Sequence, residues 1–257
     1  MEALVLGAVL VAYNNFLNRW SWFNGAPFVP LNLAAAAVLV GIGLGPLNLD
    51  ADAIGLTLSI AGIALGGLIG GILAAPLFLL ATSPRTARFV ADKRSAGLSG
   101  GRLAYQTIVR VPLGTALLEE VAFRGVLFGL VASVGTPVGA MASSVAFGLW
   151  HIMPSLNMLA ANRPGAPCRT QITFAAGTVM VTTLAGLGFV LLRVETGNLG
   201  APLALHATLN SLATLAASRA GRRHLQLGVD VDDAWERAQP VDEVLGRHAR
   251  WQLDESG

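Results

Sequence analysis

Two adjacent glutamates and an arginine interrupt the apolar stretch 117–129, Leu-Leu-Glu-Glu-Val-Ala-Phe-Arg-Gly-Val-Leu-Phe-Gly. A charge at the centre of a bilayer costs at least about 2.5–3.5 kcal/mol, so charged groups persist there when they pair, face a polar cavity or do chemistry. Spacing decides what can face what. Glu120 and Arg124 are four residues apart, share a helix face and can pair. Glu119 is turned about 100° from Glu120 and leans toward a different neighbour. Two further sets complete the polar inventory of the apolar regions. His151 follows Phe147 by four residues, and Asn210 follows His206 by four.

A carboxylate beside a neutral imidazole can take a proton from water and hand it to a leaving amine. A second imidazole with an amide can donate hydrogen bonds to a developing oxyanion. Two histidines and a carboxylate also match a catalytic zinc shell with one open position, which here would be Glu119, His151 and His206. The pattern is not His-Glu-x-x-His, and the two histidines lie on different segments. Either version hydrolyses an amide. Taken singly, each feature has a plain structural explanation. His151 can cap a helix, Asn210 can join two membrane helices, and Glu120–Arg124 can be a buried structural pair. Their joint occurrence on three segments, with no other deep charges, favours chemistry. Ser143 and Ser144, among small residues next to that site, are read as packing residues and not nucleophiles.

The elements that must carry these groups are membrane helices. Of the 257 residues, 54% are hydrophobic and 12% charged, against about 25% charged in soluble domains. The expected fold is all-α, a polytopic transmembrane bundle. A span needs about 20 mainly apolar residues. Seven candidates result, near 2–17, 28–47, 55–82, 108–133, 138–153, 171–193 and 203–218. The polar cavity is expected between the fourth, fifth and seventh of them. Gly62, Gly66 and Gly70 repeat at four-residue spacing in the third, the mark of close helix packing. Residues 154–170 read as a loop. Three regions follow: N-terminal membrane helices with a basic loop over 1–107, a catalytic membrane core over 108–218, and a charged tail over 219–257. Loops 18–27, 83–107 and 154–170 and the tail hold nearly all the arginines. That bias expects the cell membrane as location, the N-terminus outside and the C-terminus cytoplasmic. The basic residues therefore mark topology, and no nucleic-acid surface is expected. Cys168 is the only cysteine, which excludes an intramolecular disulfide and a thiolate cluster within one chain. Lys93 is the one lysine among seventeen basic residues, a bias suggestive of a high-GC bacterium.

Glu119-Glu120-Val-Ala-Phe-Arg124 resembles an E-E-x-x-x-R motif, Phe147-Gly-Leu-Trp-His151 an F-x-x-x-H motif, and His206-Ala-Thr-Leu-Asn210 an H-x-x-x-N motif. In this order they resemble the CAAX protease and bacteriocin-processing (Abi) family of intramembrane endopeptidases, over roughly 108–215. The resemblance implies a helical fold with a conical cavity open to the cytoplasm and the membrane. It implies that Glu119 with His151 activates water, that His206 and Asn210 stabilise the oxyanion, and that Glu120 and Arg124 complete and orient the site, supported by Phe147. Relatives have been described both as metalloproteases and as metal-free glutamate proteases. The metal-free version is favoured here, with zinc the alternative. The expected partners are the lipid bilayer and a membrane-embedded or membrane-tethered protein or peptide substrate. Two other classes stand beside the protease. One is a non-proteolytic scaffold or bacteriocin self-immunity protein of the same fold. The other is a proton-coupled transporter relaying through Glu119 and Glu120.

Overall fold

The structure is a computed structural model that describes residues 1–226. Among the described residues, eight helices carry the fold. They are α1 Glu2–Leu17, α2 Phe28–Leu44, α3 Ile60–Thr82, α4 over 100–132, α5 Thr136–Trp150, α6 Ile152–Asn162, α7 Cys168–Thr196 and α8 Gly200–Gln226. No strand occurs among the described residues. Single helical turns at Ala51–Ile54, Pro84–Ala87 and Lys93–Ala96 fill the connections. Of the tail expected over 219–257, residues 219–226 prolong α8, and the rest lies outside the described residues.

The surface argues for a bilayer. By length and composition, α3 and α7 are long and apolar enough to cross one, yet only 17% of each apolar window is buried inside the protein. A soluble core helix hides such a face; here Ile60, Leu68, Ile72, Leu79, Ile172, Met180 and Leu184 point outward. Apolar surface on that scale has hydrocarbon, not water, as its solvent. The chain is a membrane protein.

Local sequence explains the element ends. Asp50 caps the first short turn, accepting from Ala53 N at 2.6 Å, and Gly55 closes it in a left-handed conformation (φ 80°). Ser59 caps α3 through Gly62 N at 3.0 Å. The glycine repeat of α3 packs on α8: a Cβ at Gly66 would land on the Ala201 carbonyl, and one at Gly70 would come within 2.7 Å of the Leu205 carbonyl.

The α4 helix is continuous but not uniform. Gly100–Tyr105, Leu117–Glu119 and Phe128–Ala132 are α-helical, whereas Gln106–Ala116 and Glu120–Leu127 are wound as π-helix. The first wide segment contains Pro112, which lacks an N–H and cannot sustain a regular α-ladder. The second holds Glu120 and Arg124. Widened turns of this kind recur at functional sites.

The expected loop at 154–170 is corrected by α6. Pro154 stands in the first turn of this helix, where a proline needs no N–H partner. Eleven residues are too few to cross a membrane. The apolar interior groups Leu10, Leu39, Leu118, Phe123, Leu127, Phe147, Trp150 and Phe189, from α1, α2, α4, α5 and α7, around the buried charges.

Candidate active site

Three elements bring the acidic pair and the two histidines together: the middle of α4, the end of α5 and the first half of α8. The second glutamate and the arginine of the acidic motif form a closed unit with His206. Arg124 Nη1 donates to Glu120 Oε1 at 3.3 Å, and His206 Nδ1 lies 2.7 Å from the same oxygen. Glu120 and Arg124 have no exposed surface, and His206 is buried. Such burial requires compensation. Arg124 finds it partly on aromatic faces, with its guanidinium carbon 3.9 Å from the Phe147 ring centroid and 4.8 Å from that of Phe189. Gly186 makes the room: a Cβ there would approach Arg124 Nη2 to 3.2 Å.

Glu119 sits beside this unit. Trp150 Nε1 donates to Glu119 Oε1 at 3.1 Å, fixing one oxygen. The other, Oε2, is buried with no hydrogen-bond partner among the described residues. It lies 3.8 Å from His151 Nε2 and 3.7 Å from His206 Nε2. The ring of His151 is oriented by its far nitrogen, Nδ1, 2.7 Å from the Phe147 carbonyl. A carbonyl only accepts, so Nδ1 carries hydrogen, and in the neutral ring Nε2 presents a lone pair toward Glu119. The His151 side chain is 21% exposed, whereas those of Glu119 and His206 are 7% and 4% exposed. The site is therefore reached along the edge of His151.

Over residues 102–212 the chain matches the family model described as Type II CAAX prenyl endopeptidase Rce1-like. Over this segment the chain is similar to the CAAX protease and bacteriocin-processing family. The matched segment spans the site-bearing parts of α4, α5 and α8. No curated protein and no solved structure matches the chain.

Within the matched segment, five of the six charged, imidazole or amide residues of the motifs meet or touch through Glu119 and Glu120. Asn210 does not join them. It lies one turn beyond His206 on α8, half-buried, without a side-chain hydrogen bond to any described residue. Ser143 and Ser144 are fully buried; Ser144 packs where α5 meets Gly186 of α7, and Ser143 Oγ lies 3.4 Å from the Ala140 carbonyl. Among the described residues, no group of three or more His, Cys, Asp or Glu is disposed to hold a metal ion. Glu119, His151 and His206 are linked pairwise through one carboxylate oxygen and do not form such a set. An open depression lined by Asn48, Asp50, Phe128, Ser133 and Arg193 lies at the far end of α4 and contains none of the motif residues.

Sequence reasoning missed two parts of the site. Trp150 was legible only as a variable position between Phe147 and His151, yet it holds Glu119. Phe189 of α7 stacks on the His206 ring, centroids 5.1 Å apart and 24° between planes. It sits in an apolar run with nothing to distinguish it, so no sequence signal could have found it.

Proposed function

We propose that the protein is an intramembrane endopeptidase of metal-free, glutamate type. The observation that carries this reading is the Glu119 Oε2 atom, buried, without a partner and facing the Nε2 atoms of two histidines. Two polar atoms 3.8 Å apart leave room for a water that hydrogen-bonds to both Glu119 and His151. In the proposed reaction, that water's oxygen attacks the carbonyl carbon of the scissile amide, and its proton passes to the Glu119–His151 pair. The C–O bond forms as the carbonyl becomes an oxyanion. The amide C–N bond then breaks, and the stored proton goes to the leaving amine. The products are a carboxylic acid and an amine.

His206 stabilises the oxyanion by donating from Nε2. Because its Nδ1 faces a carboxylate, donation from Nε2 requires protons on both nitrogens when Glu120 is ionised. The charges then balance, with Glu119 and Glu120 against Arg124 and His206. Asn210 assists only after its side chain turns toward the bound carbonyl. Glu120 and Arg124 hold His206 in place. The substrate is a membrane-embedded or membrane-tethered protein or peptide.

The test uses full-length protein in liposomes with two panels of quenched fluorescent peptides, farnesylated at a C-terminal cysteine motif or unmodified and single-span. Glu119→Gln, His151→Ala and His206→Ala are expected to abolish cleavage by folded, inserted protein. A Glu119→Gln variant at wild-type rate ends this mechanism. Stoichiometric metal in active protein, with loss of activity on chelation, replaces it by the zinc version.

The topology we infer has seven spans, α1 to α5, α7 and α8, with the N-terminus outside and the α6–α7 connection cytoplasmic. Exposed Cys168, at the start of α7, reports on it. A membrane-impermeant maleimide should label Cys168 in inverted vesicles and leave intact cells unlabelled; the opposite result inverts the topology.

A further inference from the structure

His151 sits at a break in the helical backbone. It ends α5 and begins α6, with φ −87° and ψ 3°. Helix ends leave their last carbonyls and first N–H groups without intrahelical partners. Inside a bilayer water cannot supply them. At this break the partners can be accounted for almost one by one. The Phe147 carbonyl receives the His151 ring, and the Gly148 carbonyl receives the His151 backbone N–H at 3.0 Å. The last two carbonyls of α5 are satisfied from α1, far outside the segment that carries the motifs. Asn14 Nδ2 donates to the Trp150 carbonyl at 2.8 Å, and Asn15 Nδ2 donates to the Leu149 carbonyl at 2.9 Å. Asn15 also accepts, through Oδ1, from Met153 N in the first turn of α6 at 2.7 Å. One amide thus bridges both sides of the break. Asn18 braces the arrangement by donating to Asn14 Oδ1 at 2.8 Å, and its own carbonyl accepts from Asn157 Nδ2 of α6 at 2.8 Å.

We propose that Asn14 and Asn15 are positioning residues for the catalytic pair. They set the backbone of 149–153, and through it the aim of the His151 ring and of the Trp150 indole that holds Glu119. This rests on the reading of Glu119 and His151 as the water-activating pair. Neither asparagine touches the reacting atoms. Asn residues in the first helix otherwise read as an interruption of its apolar run; here they complete a neighbour's broken helix.

The experiment follows His151 without needing a substrate. Full-length protein with ring-¹⁵N histidine is placed in lipid nanodiscs, the His151 signals are assigned with His151→Gln, and Asn14→Ala, Asn15→Ala and Ser211→Ala are compared. Ser211 makes a part-buried interhelical bond to the Thr107 carbonyl, away from the break, and controls for general loosening of the bundle. The two asparagine variants are expected to move the His151 signals toward mixed tautomers, as the Nδ1–H bond to Phe147 loosens. In the peptide assay they lower kcat about ten- to a hundredfold with little change in KM, the range a misplacement of about 1 Å produces. Ser211→Ala should do neither. Unmoved His151 signals and normal kcat in the folded asparagine variants overturn the proposal. Where an alanine variant does not insert, Asn15→Gln keeps both bonding groups one methylene further out. Its His151 signals should shift less in the same direction, and unshifted signals overturn the proposal equally. The two readings fail separately. An active Glu119→Gln variant with shifted asparagine variants sinks the mechanism alone. An inactive Glu119→Gln with normal asparagine variants sinks the positioning role alone.

Discussion

The two long faces of α8 hold the protein together by opposite means. One face lies on α3 along Gly66 and Gly70, where backbones meet so closely that Ala201 and Leu205 carbonyls occupy the space of the missing side chains. The other face presents His206 to Glu120, Arg124 and Glu119, where ion pairs, hydrogen bonds and rings do the holding. In a bilayer, lipid competes with apolar contact between helices, so association rests on close packing and on polar bonds. The glycine seam uses shape alone. That leaves the charged face to be arranged for chemistry, at a desolvation cost that packing elsewhere must offset.

The charged face should break hardest when the buried charges no longer balance. Arg124→Leu leaves buried Glu120 with only His206 beside it and is expected to cost about 3 kcal/mol, seen as lost yield and a lower Tm. The double variant Glu120→Met with Arg124→Leu should recover most of that stability yet remain inactive, since His206 has lost its holder. Equal instability of the single and double variants would mean that the pair is not what Arg124 serves.

The seam should break by crowding. Gly66→Val places atoms on the Ala201 carbonyl and is expected to destabilise by about 1–3 kcal/mol or more. Because α8 also carries His206, cleavage should fall with it. Gly71→Ala is the control, since a Cβ there meets nothing within 4 Å. A matching Tm loss in both variants would remove the distinction between the two faces of α8.

A smaller effect sharpens the catalytic side. Trp150→Phe keeps the ring stacked near Tyr13 but deletes the donor to Glu119. Loss of one hydrogen bond to a charged acceptor is worth about 1.5–3 kcal/mol, and it should appear in kcat more than in Tm. The smallest effect belongs to the polar connection before α4. Burial raises the Asp92 carboxyl, but its bonds to Arg94 outweigh this and hold it below its ordinary value. Its stabilisation is therefore present above the unfolded carboxylate range near pH 4 and fades as pH falls through the lower folded value. Asp92→Asn should cost under about 1 kcal/mol at neutral pH, and less at pH 3 by thermal unfolding.

The legible part of the site was the part written in local spacing. Glu120 and Arg124, four apart, do pair, even though the turn between them is π-wound; the side chains are long enough to absorb the wider winding. The glycine repeat of α3 was also read correctly as a packing face, because a period on one helix survives whatever helix it meets. Illegible were contacts between distant segments. Asn14 and Asn15 bond to residues 134 or more positions away, and an amide's spacing along its own helix does not reveal its partner. The α6 helix was lost for a different reason: Pro154 signals both the end of one helix and the first turn of the next, and local sequence does not choose between them.

The sequence by itself determined the solvent, the helical class and which residues were too costly to be in lipid without a purpose. Those properties follow from composition and period, which are local. The tertiary structure alone decided that one oxygen of Glu119 is fixed by Trp150 while the other is left free between two imidazoles. It also decided that His206 is held by Glu120 and that the first helix completes the break at His151. Each of these depends on which buried polar group finds which partner in a medium without water, and that assignment exists only once the helices have packed.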